Sequence, residues 1–404
     1  MKNVFTTLLL IIISLAALPS LANEFSTPAI TTKNDVVYRT GENKPYSGQY
    51  TSYWDEHKTR KKTQGQYKAG MKSGQWLKWY GDGSKAAEWQ YLDGKMHGKS
   101  VEWHPNGQQK MTANFVQGMP EGKQTGWDEQ GKINIEGEFK NGTGRITFLN
   151  DGIKSEFTMT DGRNHGSMSS WYASGAKKVD GNFHQGKKSG KWIEWHENGE
   201  KKAEGNFRNG KKEGLWIWWY ANGQKKEESH FSNDEGNGKS LSWHINGNSK
   251  FAGTFLNNQL DGPVTTWFEN GKKSVAGNYR QGEEEGVWTD WYENGQKKVE
   301  SHYRSGKLNG TFTAWYENGS KKLEANFRDN LWNGKLAGWY EGGELMQEGD
   351  FKDGDGVATR YHENGQKKES GGYKNSKREG PWITWNENGD KLMQEHYRDG
   401  NLVE

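Results

Sequence analysis

The sequence predicts an all-β fold, an elongated single antiparallel meander of tandem β-hairpin repeats. Three observations predict it. An aromatic residue recurs at Trp79, Trp103, Trp127, Trp171, Trp195, Trp219, Trp243, Trp267, Trp291, Trp315, Trp339, Tyr361 and Trp385, and from Trp171 to Trp339 the spacing is always 24 residues. An Asn-Gly dipeptide follows most of these aromatics three residues on, as at Asn198, Asn222 and Asn294. The runs on either side of the dipeptide alternate with period two. A fixed period of this length marks a repeat array in which each unit packs on its neighbours, not one catalytic globule. Asn-Gly between strand-like runs signals a hairpin, because a type I′ turn needs positive φ at both central residues.

The elements follow in chain order. Residues 1–22 read as a cleavable secretory signal peptide: Lys2, then an apolar run from Val4 to Leu18, then Ser20–Leu21–Ala22 before the cut. That run is shorter than the ~20 apolar residues a spanning helix wants. No cysteine is present, so neither a lipid-modified cysteine nor a disulfide is available. The expected form is periplasmic or secreted. Residues 23–66 read as an irregular N-terminal cap with a degenerate repeat, where Asp55–Glu56–His57–Lys58 stands in place of Asn-Gly. Residues 67–396 carry the tandem 24-residue repeats, broken by a degenerate unit around Phe148 and a two-residue deletion before Tyr361. Residues 397–404 are a truncated repeat, the kind of atypical end that arrays need.

Within one unit, a glycine-rich turn spans Phe183 to Gly190, a first strand runs from Lys191 to His196, and a second from Lys201 to Phe207. Alternation puts Ala203, Gly205 and Phe207 on one side of the second strand, as it does Leu323, Ala325 and Phe327. In the first strand Ile193 and Trp195 share a side. We assign Trp195, Trp219, Trp243, Trp267, Trp291 and Trp315 to the packed face, one per repeat. The opposite side carries Trp76, Trp192, Trp216, Trp288 and Trp382 in some units and small or flexible residues in others. A position that varies but stays aromatic is a candidate recognition surface, so Trp192, Trp216, Tyr220, Trp288 and Tyr292 are the candidate partner-binding residues.

Composition and motifs exclude several classes. Aromatic residues make up 13% of a chain of low mean hydropathy, and their strict period argues against disorder. With Lys+Arg 55 against Asp+Glu 52, no global charge favours nucleic acid. No phosphate loop or nucleophile elbow is present, and no reaction is implied. His104, His196, His244 and His362 occupy equivalent positions, too far apart to share a metal, and are expected to be structural or surface residues. The acidic stretches at Asn233–Asp234–Glu235, Asp353–Gly354–Asp355 and Glu283–Glu284–Glu285 lack a closing calcium ligand and read as loops. Neither a metal nor a cofactor is called for. Lys201–Lys202 and its equivalents form a row of lysines read as edge protection, with Glu204, Glu227, Glu300 and Glu324 close enough to neutralise much of it.

The recurring pattern Gly-x-Trp-x-x-Trp-Tyr-x-Asn-Gly-x-Lys-Lys resembles the MORN-repeat family, in particular its bacterial variant repeats. The resemblance covers about residues 38–404. It implies β-hairpin arrays, and for function an antitoxin-like label of the YwqK type or, from eukaryotic relatives, membrane or protein scaffolding. The resulting expectation is an exported, non-catalytic scaffold or immunity-like factor with a protein partner. Cell-wall glycan or a lipid surface is the alternative, since aromatic hairpin repeats are also similar to choline- and glucan-binding repeats.

Overall fold

The computed structural model describes residues 25–403, and the expected signal peptide lies outside them. Among the described residues there are 37 strands and no helix, arranged as antiparallel hairpins that follow one another in chain order. The chain divides into two compact units, one ending at Glu200 and taking in Phe207–Gly210, the other made of Lys201–Asn206 and the residues from Lys211 onward. In the first unit Gly48–Tyr53 pairs with Lys61–Lys68, which pairs with Met71–Trp79, and the series runs on to Lys177–His184 against Lys187–Trp195. In the second, Lys211–Trp219 pairs with Lys225–Ser232, and the series ends with Lys377–Trp385 against Lys391–Arg398 and a short return at Asn401–Leu402. Ile30–Lys33 and Val36–Arg39 form a small separate hairpin.

Two kinds of turn alternate, and they are not distributed as the dipeptide predicts. At Asn222–Gly223 only Gly223 has positive φ, and its N–H donates to the Tyr220 carbonyl while Tyr220 N–H donates to Gln224. This is the longer hairpin turn closed by a glycine bulge. Asn222 serves it through its side chain, whose Oδ1 accepts from Gln224 N–H at 3.1 Å. The two-residue turns with positive φ at both positions lie at the other end of the hairpins. Asn209–Gly210, Gln281–Gly282 and Ser305–Gly306 are examples, in the segment read from sequence only as a glycine-rich loop.

The Gly-x-Trp segment is a bulge. Asp180 faces Ile193 and Asn182 faces Ser189, so Gly181 alone stands against Gly190, Lys191 and Trp192. Gly214, at the same place one repeat on, has φ +70°, with open space where a Cβ would go. Backbone conformation, not room, therefore demands glycine there. The irregular step before Tyr361 has the same origin. Trp339 to Tyr361 is 22 residues, two short of the period. The pairing of Leu345–Lys352 with Asp355–Tyr361 runs without a register shift, so the missing pair is the bulge itself.

Packing concentrates on one face in each unit. Tyr50, Tyr67, Trp76, Ala87, Trp89 and Tyr91 form a cluster in the first, with Phe139, Ile146 and Met159 in another. In the second, Ala325, Leu336, Phe351 and Ala358 pack with Leu323 and Phe327, as the alternation of that strand predicts. The recurring contact is a ring over a glycine. The Trp192 indole covers Gly181, where a Cβ would stand 2.3 Å from ring carbon, and Trp216, Trp288 and Trp382 do the same to Gly205, Gly277 and Gly371.

Candidate functional site

Cross-strand register reverses the face assignment made from sequence. Trp216 stands opposite Ser229 and Gly214 opposite Phe231, and opposed residues project to the same side of a sheet. The first tryptophan of each unit therefore shares the face of the second-strand phenylalanine. Trp192 and Trp216 are each only 4% exposed. Their indole N–H groups donate to Asn182 and Asn206 carbonyls at 3.1 Å. Trp288 is partly exposed, packed edge-on between Tyr279 and Tyr303. The outward orientation expected of Trp192, Trp216 and Trp288 is thus corrected: these rings form the packed face. Alternation along one strand gives two sides but not which is covered, and the register that decides this lies in the neighbouring strand.

The second tryptophans take the other side. Trp195, Trp219, Trp243, Trp291, Trp315 and Trp339 are half-buried. A lysine lies over each ring: Lys177 at 5.5 Å from the Trp195 centroid, Lys225 at 5.9 Å from Trp243, Lys297 at 5.7 Å from Trp315, Lys321 at 5.8 Å from Trp339. Most of these lysines also pair with an acid three residues on, as in Lys201–Glu204 at 2.8 Å and Lys321–Glu324 at 2.6 Å. Of the lysine pairs read as edge protection, one member lies over an indole, as Lys201 does over Trp219, and the other over a tyrosine ring, as Lys226, Lys298 and Lys322 do over Tyr220, Tyr292 and Tyr316. Exposed lysine–acid pairs contribute about 0–1 kcal/mol; their regular spacing is a matter of surface chemistry more than of stability.

Tyr220 and Tyr292 are half-buried, and their hydroxyls donate to the next repeat's backbone: Tyr220 to the Trp243 carbonyl at 2.8 Å, Tyr292 to Trp315 at 2.9 Å. Histidine substitutes with the same geometry. Nε2 of His104, His244 and His362 lies 2.8, 2.8 and 3.0 Å from the carbonyls of Trp127, Trp267 and Trp385. Each histidine thus sits where a tyrosine hydroxyl would, donating an N–H instead. The asparagines of the longer turns add a second rung, with Nδ2 of Asn246 and Asn294 donating to Glu269 and Glu317 carbonyls at 2.8 Å.

Asn233–Asp234 and Asp353–Gly354 lie in turns, but Glu235 and Asp355 begin strands, and Glu283–Glu284–Glu285, expected as a loop, opens the strand Glu283–Trp291. Asp234 accepts from Lys212 N–H at 2.6 Å and Glu285 from Ser305 N–H at 2.9 Å. Among the described residues no three His, Asp or Glu side chains converge as a metal site. Burial pushes the Tyr91 phenol up to about 12, and the Glu348 carboxylate beside Tyr361 does the same there. Burial also raises Asp290 above the usual carboxylate range.

Two cavities open in the second unit. One, about 310 Å³, is lined by Tyr292, Trp315, Lys322, Leu323 and Met346, so Tyr292 keeps an accessible flank. The other, about 380 Å³, lies among Glu227, Ser229, Phe231, Ser240, Phe251 and Phe255. Sequence reasoning missed the second. Its signal was the absence of the first tryptophan at Ser240.

Comparison with known proteins bears on the repeats. The family model described as MORN repeat variant matches residues 120–141, 188–209, 212–233, 284–305, 308–329 and 354–375. No curated protein matches the chain. Among solved structures it is similar to the crystal structure of TcdB2-TccC3-Cdc42, at 9% identity and a TM-score of 0.13, over 91% of this chain and 21% of that one. The chain thus spans about a fifth of that relative, and a score so low carries nothing on function.

Proposed function

This chain is a MORN-repeat protein, and from that premise we propose that it is a non-catalytic, protein-binding scaffold of the cell envelope. Its finer form is an antitoxin- or immunity-like factor that holds a protein outside the cytoplasm, where the export signal expected over residues 1–22 would deliver it. One observation carries the reading: the row of half-buried indoles, each bordered by a lysine and in most repeats an acid, recurring every 24 residues. Tryptophan anchors set in a polar rim are the chemistry of protein interfaces. The lysines cover ring faces on which a sugar would stack, which supports a polypeptide over a glycan. Neighbouring acids offset the lysines and weaken attraction to anionic lipid.

The test is affinity capture from envelope extract, followed by reconstitution with the purified captured protein. The wild-type chain is compared with a Trp243→Ala, Trp315→Ala double variant. Loss of at least tenfold in affinity in the variant is expected. Recovery of no specific protein, or equal binding by both chains, would overturn the proposal.

A further inference from the structure

In the repeats that keep it, the first tryptophan fills a slot of fixed design. Trp192 lies over Gly181, edge-on to Phe183 at 5.3 Å and Phe207 at 5.7 Å, with Lys188 as a lid 4.3 Å from its ring. Trp216 lies over Gly205 with Lys212 as its lid at 4.8 Å. Where the ring is smaller the floor grows: Phe312 stands opposite Ser301. The two residues trade volume, as close packing requires.

In the repeat around Ser240 neither member of that pair is large. Ser240 replaces the ring, Ser229 replaces the glycine, and Gly236 replaces the lid lysine. The side walls Phe231 and Phe255 remain, and the cavity of about 380 Å³ opens between them. Its floor is polar. Ser229 and Ser240 are 6% and 7% exposed, with their hydroxyls 2.8 Å apart, and Ser229 donates to Glu227 at 2.8 Å. Ser240 therefore spends its proton on Ser229 and keeps lone pairs to accept. Glu227 itself is out of pattern, occupying a place held by Ala203, Val275 and Val299 in other repeats.

We infer that this slot receives a tyrosine side chain of a polypeptide partner. The template for the ring is internal: Trp76, Trp192, Trp288 and Trp382 each stand edge-on to the two rings that flank their slot. A seryl floor fits a six-membered ring, as Phe312 over Ser301 shows, and excludes an indole seated as deep as Trp216. A Cβ at Gly205 would stand 2.2 Å from that indole. The acceptors on Glu227 and Ser240 call for a donor at the ring's far edge. A phenol supplies it and a phenylalanine does not. This inference rests on the protein-scaffold reading and names the side chain that the scaffold grips.

Saturation-transfer NMR on the full chain tests it with N-acetyl-tyrosinamide, against the phenylalanine and leucine analogues and methyl glucoside. The tyrosine probe is expected to bind at least about tenfold more tightly than the leucine probe. Ser240→Phe, which fills the slot, abolishes that binding, and Gly236→Lys, which restores the lid at a position with ordinary space for a side chain, weakens it several-fold. Glu227→Val removes the preference for tyrosine over phenylalanine. No transfer to the tyrosine probe, unchanged transfer in both the Ser240→Phe and Gly236→Lys chains, or stronger binding of the glucoside overturns the inference. Should Ser240→Phe fail to fold by circular dichroism, Gly236→Lys decides alone. Failure of the probe leaves the capture experiment to judge the scaffold reading by itself.

Discussion

The indole of Trp216 lies directly over Gly205, so close that a single methyl group there would meet the ring at 2.2 Å. Two residues eleven apart in sequence thus form one packing unit, repeated with substitutions along the chain.

Trp216→Ala should destabilise the second unit by about 3–5 kcal/mol, the range for emptying a buried aromatic site. Trp219→Ala, three residues on, removes a half-buried ring and its lysine contact and should cost about 1–2 kcal/mol. Denaturant melts of the two variants measure the difference. Equal losses would mean that the two tryptophans are not on opposite faces.

Gly205→Ala should destabilise by about 1–3 kcal/mol through overpacking. Adding Trp216→Phe should recover part of that loss, because Ser301 and Phe312 already make the smaller-ring, larger-floor pair. A double-mutant cycle reads the coupling, and strict additivity would count against the pair.

Gly214→Ala tests the bulge. Its Cβ meets nothing, so the cost should be the left-handed backbone alone, about 1–2 kcal/mol. A neutral substitution would show that the bulge does not need positive φ.

At His244 the donated N–H, not the imidazole, should matter. His244→Tyr keeps a donor aimed at the Trp267 carbonyl and should fall within about 0.5 kcal/mol of wild type, whereas His244→Phe should cost about 0.5–1.5 kcal/mol. Reversal of that order in thermal melts would refute the hydrogen-bond role.

Alkali should loosen the packing around Tyr91. Burial holds its phenol neutral up to about 12 in the folded chain, while an unfolded tyrosine ionises near ~10. Stability from this group is fully present below pH ~10 and is lost as pH rises toward about 12. Tyr91→Phe should remove that part of the alkaline loss, seen as a flatter melting temperature over the same window.

The hairpin series was legible because period and alternation are properties of one strand read along itself. The packed side of the second strand was legible for the same reason, as Leu323, Ala325 and Phe327 illustrate. What was not legible depends on pairing. Only the register Trp216 to Ser229 shows that the first tryptophan joins the phenylalanine side. The turn types were exchanged because Asn222 works through its side chain, while Gln281 and Ser305 accept positive φ without the expected dipeptide. The cavity at Ser240 escaped notice because it is made by residues that are small, and a missing ring leaves no motif.

The ladder from Tyr220 to the Trp243 carbonyl has an evolutionary corollary. Its donor is a side chain and its acceptor is main chain, which every residue type supplies. A duplicated block of 24 residues would meet the block after it without any compensating change in that neighbour. Lengthening or shortening of such a gene by whole blocks is therefore mutationally cheap. Individual blocks are correspondingly free to diverge in their own slot, as the one around Ser240 has done.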